Sequence, residues 1–418
     1  MPMAFADQYL SKQDARFTFS VNNNEFNAKM VVVIPCYDEP NIAYALLSLF
    51  NCLQPDCNVL VVVVINHSEN SPDEVKEQNL KTYDEIQQLK ANSPTWLSVE
   101  VLQAFDLPQK HAGVGWARKI GMDFAISVFN NSDCSDGTII SLDADTLVAN
   151  NYFRAISEHF DLYPKNIGAT LFFEHVIDDN KLEQAVELYE LYMRYYKNAL
   201  EFAGFPCSMY TVGSAFCVKA QAYVAQGGMN RRKAGEDFYF LHKLVQLGPI
   251  GEINNTAVYP LGRVSSRVPF GTGPAIAKFF EKNSRADFTY PLESILALID
   301  VFENIDLLYS NILFTLDDLT ENKVLKEFLT AIAFVDEISA LRSNCATINS
   351  FSKRYYHFFN AFKILKWLNF AIDKSYVKSN VIEESGKLLR MLDFEFDGAS
   401  NAKIMLNRFR ELDKNRII

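Results

Sequence analysis

The chain has 418 residues, more than one ordinary core organises, and its 49% hydrophobic and 13% aromatic content excludes a disordered protein. A formal charge of −11 argues against a general binder of nucleic-acid backbones, while leaving room for a local basic pocket that takes one small phosphorylated ligand. The seven cysteines (Cys36, Cys52, Cys57, Cys134, Cys207, Cys217 and Cys345) are odd in number and form no CxxC pair, which reads as free thiols in a reducing cytoplasm.

The N-terminus lacks the basic start and long apolar centre of a signal peptide. Residues 1–28 read as a polar, Asn-rich lead-in. "KMVVVIPCYDEP" is a buried strand that runs into a loop, and Ile42, Leu46, Leu49, Phe50 and Leu53 then recur at helical spacing. "NVLVVVVINHSEN" is a second buried strand; its aliphatic run is far short of the ~20 residues that span a bilayer. A charged helical insert follows, then "WLSVEVLQAF" as a third strand, a helix opened by "GVGWARKIGMDFAISVF", and "GTIISLDAD" as a fourth strand. Farther on, "YTVGSAFCVKAQAYVAQGGM" reads as a strand, a short helix and a Gly-Gly turn.

This alternation of continuous apolar strands with helices predicts an α/β fold, a Rossmann-like, mostly parallel sheet with helices on both faces. In such a sheet ligands bind beyond the carboxyl ends of the strands, where Asp38 and Glu39, Asn66 and His67, and Asp143 and Asp145 all fall. From about residue 285 the texture becomes helical, with almost no Gly or Pro. The expected division is therefore 1–284, α/β, and 285–418, a helical C-terminal domain. Within it, Lys363 and Lys366 lie among aromatics, read as a core helix with two snorkelling lysines rather than a membrane-surface helix.

Asp143-Ala144-Asp145 closes the fourth strand. Two carboxylates with a small residue between them suit a hard divalent ion, Mg²⁺ or Mn²⁺, that shares substrate phosphates. The plain alternative is a turn in which Asp145 caps the following helix. Glu236 and Asp237 open a helix, where the dipole alone favours acids. Arg263, Ser265, Ser266 and Arg267, followed by Gly271 and Gly273, form a basic and glycine-rich stretch suited either to a diphosphate or to an ordered surface loop. His242 reads as packing rather than metal ligation, and the tyrosines of 181–203 as an aromatic core stripe rather than a sugar-stacking surface.

In order, "VVVIPCYDEP", the polar end of "VVVVINHSEN", "AGVGWARKIGMDFA", "SLDAD" and "GEDFYFLHKL" resemble the motifs of family 2 glycosyltransferases, over roughly residues 28–265. The resemblance implies the A-type nucleotide-sugar-binding fold (GT-A). It makes Pro35, Tyr37 and Glu39 the loop around the nucleoside, with Asp38 where Asn is commoner. Asn66 stands where an acidic residue usually reads the base, which leaves the base open. Gly113 and Arg118 match the glycine-rich donor segment, with Lys110 or Lys119 as added positive charge. Asp143 and Asp145 match the metal and diphosphate site, and Gly213 with Ser214 a small-residue wall beside the sugar. Asp237 matches the general base and Glu236 an acceptor-side acid. Arg263 and Arg267 are candidate donor-binding arginines, and no processive-synthase signature is visible.

The expected function is a metal-dependent, inverting, non-processive transferase moving a sugar from a nucleotide diphosphate sugar to a sugar, lipid-linked or small-molecule acceptor. The expected setting is cytoplasmic, with the inner membrane face as a peripheral site. No nucleic-acid partner is expected, and the C-terminal helices are a candidate self-association surface. The alternatives are a retaining transferase acting on a small acidic acceptor such as glycerate or phosphoglycerate, and a non-catalytic nucleotide-binding scaffold.

Overall fold

The two β-branched runs lie at the centre of the chain's first unit. Every residue from Met30 to Cys36 and from Val59 to His67 is buried, so both faces of these strands are covered. The computed structural model describes residues 4–14, 26–110, 112–177, 179–265, 271–281, 284–394 and 401–416. The chain divides into one unit of residues 1–182, 211–277 and 413–418, and a second of residues 183–210 and 278–412.

The first unit is built on β1 (Met30–Cys36), β2 (Val59–Ser68), β3 (Leu97–Leu107), β4 (Thr138–Ser141), β5 (Thr146–Val148), β6 (Gly168–Phe173), β7 (Phe216–Lys219) and β8 (Ile250–Pro260), in the order β3-β2-β1-β4-β7-β6-β8-β5. The first four strands in that order run parallel, so their carboxyl ends share one edge. β7 runs antiparallel to β4 and β6, β8 is parallel to β6, and β5 is antiparallel to β8. The expected α/β class and parallel central sheet are present. β5, β6 and β8 were not singled out in the sequence: β5 has only three residues, and "IGEINNTAVYP" carries an Asn-Asn-Thr step inside its strand.

Chain-order helices are α1 (Asp7–Leu10), α2 (Ile42–Phe50), α3 (Asp73–Leu89), α4 (Val114–Asn131), α5 (Tyr152–Leu162), α6 (Glu183–Phe202), α7 (Ala220–Gln226) and α8 (Glu236–Leu244). α4 packs on β1 and β2 through Gly121, where an added Cβ would lie 2.4 Å from Val33 and 2.9 Å from Val64. A side chain there would push the helix off the sheet. Within the lead-in, α1 buries Tyr9, whose hydroxyl donates to Asp123 at 2.7 Å. The Gly-Gly turn after α7 is real, with φ of +90° at Gly227 and +81° at Gly228.

The second unit is helical, as the texture from residue 285 predicts, but it also takes α6 and begins again at Lys278. The expected boundary therefore misses one helix. α6 packs on the helices Leu292–Leu296 and Val381–Met391, pairings that a local pattern does not carry. Inside this unit Glu190 is fully buried and accepts from Arg194 Nε and Arg410 Nε, each at 2.9 Å. Trp367 Nε1 donates to the Ser294 carbonyl at 2.7 Å. Asn322, Thr347, Asn360 and Asn380 each cap a helix through the side chain. The helix Ala361–Lys374 turns Ile364, Trp367, Leu368 and Ala371 inward, while Lys363 lies over the Phe358 ring at 4.0 Å, the snorkelling arrangement expected. Among the described residues no helix is long and apolar enough to cross a membrane, and all seven cysteines are free.

Candidate active site

Topology brings the site residues to one edge. β1, β2 and β4 end there, and the antiparallel pairing Ser141↔Phe216 sets Gly213, just before β7, beside the end of β4. Likewise Thr146↔Pro260 delivers the segment after β8, and so Arg263, to Asp145.

The like charges of Asp143 and Asp145 are each met by an arginine. Arg118, 1% exposed, reaches up from α4. Its Nη2 donates to Asp143 Oδ1 at 2.9 Å, its Nε to Glu236 Oε1 at 3.2 Å, and its Nη1 to the Gly213 carbonyl at 2.9 Å and to Ser141 Oγ. Ser141 Oγ donates in turn to the Gly213 carbonyl at 2.7 Å. A Cβ on Gly213 would lie 2.8 Å from the guanidinium and 3.4 Å from Asp237 Oδ2, so the glycine admits this approach. Burial alone lowers the Arg118 pKa, but Asp143, Glu236 and Asp237 outweigh it and raise the value.

Arg263 makes the second bridge. It pairs with Asp145 Oδ2 at 2.7 Å and with Glu39, itself 1% exposed. Glu39 Oε1 also accepts from the Asn41 amide at 3.1 Å. The turn from β1 into α2 is closed by Asp38, whose φ of +49° lies in the left-handed region that Asp and Asn tolerate. Asn79, fully buried on α3, ties this loop to the end of β2. It accepts from the Asp38 amide at 3.0 Å and donates to the Asn66 carbonyl at 3.0 Å and to His67 Nδ1 at 3.1 Å. Asn66 and Pro35 are buried, while Tyr37 is half-buried.

Glu236 and Asp237 form the first turn of α8, after Gly235 at φ +67°. The Asp237 carboxylate accepts from the Phe238 amide at 2.7 Å. Burial, then the Glu236 charge, push its pKa up to about 7, against the opposing pull of Arg118. Burial also raises Glu236, partly offset by Arg118. Ser214, next to Gly213, is buried, and among the described residues its Oγ has no hydrogen-bond partner.

For a divalent ion the donor set is two carboxylates. Among the described residues no three His, Cys, Asp or Glu side chains gather as a metal site. Asp143 is 37% exposed, and among the described residues only its Oδ1 takes a hydrogen bond. That set fits an ion such as Mg²⁺, which takes one or two carboxylates and completes its shell with substrate phosphate and water.

Of the residues singled out in the sequence, Arg118, Asp143, Gly213, Glu236 and Asp237 meet in one cluster. Glu39, Asp145 and Arg263 meet in a second. Arg118 holds protein groups, and Lys119 turns away to Asp123 at 2.8 Å and Tyr9 at 3.0 Å. Arg267 and Ser266 lie outside the described residues. His242 is buried against Phe238, and burial pulls its pKa down to about 4, as packing requires. Ser141 and Asn79 were missed. Ser141 sits in an apolar run that gives no sign of its partner, and Asn79 in a helix that reads as charged surface.

No protein-family model matches the chain, and no curated protein is significantly similar to it. Among solved structures, S. aureus TarS 1–349 is similar at 14% identity and a TM-score of 0.38, covering 78% of this chain and 88% of that one. The same protein in complex with UDP-GlcNAc is similar at 14% identity and a TM-score of 0.40, covering 78% and 91%. For the longer S. aureus TarS structure the identity is 14% and the TM-score 0.37, covering 82% and 54%.

Proposed function

We propose that this chain is a glycosyltransferase that moves a sugar from a nucleotide diphosphate sugar to an acceptor hydroxyl. One observation carries this reading: Arg118 joins Asp143, at the end of β4, to Glu236, beside Asp237, in one hydrogen-bonded cluster at the sheet's carboxyl edge. Acids suited to a diphosphate-bound ion and an acid suited to proton abstraction are thereby held in fixed relation. The order of motifs in the sequence supports the same assignment.

In this reading the nucleoside lies against Pro35, Tyr37, Glu39 and Asn66, and Gly113 lets the backbone approach the donor. Asp143 and Asp145 would hold Mg²⁺ or Mn²⁺, and the ion would supply positive charge toward the diphosphate. Arg263 contributes further charge on that side, and Gly213 with the Ser214 hydroxyl faces the sugar. Asp237, with its pKa near neutrality, takes the proton of the attacking hydroxyl at Oδ2. One base positioned behind the anomeric carbon gives inversion. Glu236 is held by Arg118 and orients the base.

Release of nucleoside diphosphate from a panel of donor sugars tests the proposal. One donor is expected to be turned over with Mn²⁺ or Mg²⁺, to stop on chelation, and to give a product of inverted anomeric configuration by NMR. Absence of turnover with every donor and acceptor would favour the scaffold reading instead.

A further inference from the structure

We infer that the acceptor is anionic, carrying a phosphate or carboxylate group, and that Arg231, Arg232 and Lys233 recognise it. This rests on the reading of Asp237 as the base. The three cations are consecutive, exposed, and end four residues before Asp237. Among the described residues none of them pairs with a carboxylate, in a chain whose net charge is −11. Two are parked on aromatic faces instead: Arg232 lies 3.5 Å from the Tyr239 ring centre and Arg231 5.1 Å from that of Trp116. A guanidinium stacked on its face keeps its N–H edge available, the geometry that grips phosphate or carboxylate in bidentate fashion.

The loop is also fixed in place. Asn230 Nδ2 donates to the Glu236 carbonyl at 2.9 Å, and Asn230 Oδ1 accepts from the Arg232 amide at 3.1 Å. Its backbone packs into the glycine turn that opens α4: a Cβ on Gly115 would fall 2.2 Å from the Arg232 carbonyl, and one on Gly113 3.1 Å from Lys233 Cα. The glycines thus hold the basic loop against the same α8 turn that carries Glu236 and Asp237. The chemistry needs such a device. An anionic acceptor approaching Asp143, Glu236 and Asp237 meets like charge, and preorganised cations beside its route offset that repulsion.

The test is calorimetric titration of the full chain with glucose 6-phosphate, glucuronate and glucose, at low and at high salt. The anionic probes are expected to bind at least tenfold more tightly than glucose, with phosphate against glucuronate showing which anion is preferred. Salt should weaken that preference. The combined variant R231Q/R232Q/K233Q, checked for folding by circular dichroism, should lose it. Equal binding of glucose and the two anions, no binding of either anion, or an unchanged preference in the triple variant would overturn the inference. Anion binding that depends on the loop, in a chain that turns over no nucleotide sugar, would leave this site standing and remove the transferase reading. Turnover with strict preference for neutral acceptors would do the reverse.

Discussion

Asp237→Asn is expected to lower sugar transfer by about a thousandfold, the scale of general-base catalysis, while donor binding stays within about twofold. The asparagine keeps the shape and the hydrogen bond from the Phe238 amide but cannot accept the acceptor's proton. The pH profile gives an independent check. With a pKa pushed up to about 7 by burial and by Glu236, Asp237 gains its charge across neutrality, so transfer should climb as pH passes through about 7. Stability runs the other way. The folded chain binds this proton more tightly than the unfolded one, so between the ordinary carboxylate range, about 4, and about 7 the fold loses stability as pH rises. The asparagine variant, freed of that penalty, should melt higher than the wild type at pH 8, and the gap should shrink toward pH 5. An equal melting temperature at all pH values, or near-normal transfer, would remove Asp237 from the role of base.

Arg118→Leu is expected to be the most damaging single substitution, costing about 3–5 kcal/mol in denaturant unfolding. Removing one partner of a buried ion pair strands the other. Here Asp143, Glu236 and the Gly213 carbonyl lose their donor together, and Glu236 is itself buried. Lysine is not a conservative replacement, because a single ammonium lacks the planar fork that reaches several acceptors at once. Arg118→Lys should therefore recover less than half of the loss. A leucine variant as stable as the wild type would mean that the cluster is not held by this guanidinium.

The central sheet was legible in the sequence because fully buried parallel strands leave continuous aliphatic runs, as at Val31–Ile34 and Leu60–Ile65. The residues at their ends were legible for the same reason, since a polar residue following such a run sits at the mouth of the sheet. What local pattern did not carry was partnership. Arg118 lies beside Lys119 in an otherwise largely apolar helix, and nothing near it in sequence names Asp143 or Glu236, 25 and 118 residues away. The bridge from Arg263 to Glu39 spans 224 residues and depends on β8 running antiparallel to β5, a strand of three residues. The grouping of α6 with the C-terminal helices was hidden in the same way, because its buried face answers to residues more than 90 positions downstream, as in the Tyr195 hydroxyl that donates to the Tyr290 carbonyl.

The charge logic of Asp143 and Asp145 is also richer than the sequence implied. Close acids at a strand end call for a cation, and the fold supplies two of its own. In the proposed reading a donor diphosphate and its ion would join a site in which each of these acids already faces an arginine, with Asp143 as the more open of the two acids. Calorimetric titration of nucleoside diphosphates with Mn²⁺ into the wild type and Asp143→Asn tests this account most directly. One base is predicted to give saturable, equimolar binding that Mn²⁺ strengthens and that the asparagine weakens by at least tenfold. Failure of every nucleoside diphosphate to bind, or identical binding by Asp143→Asn, would contradict it.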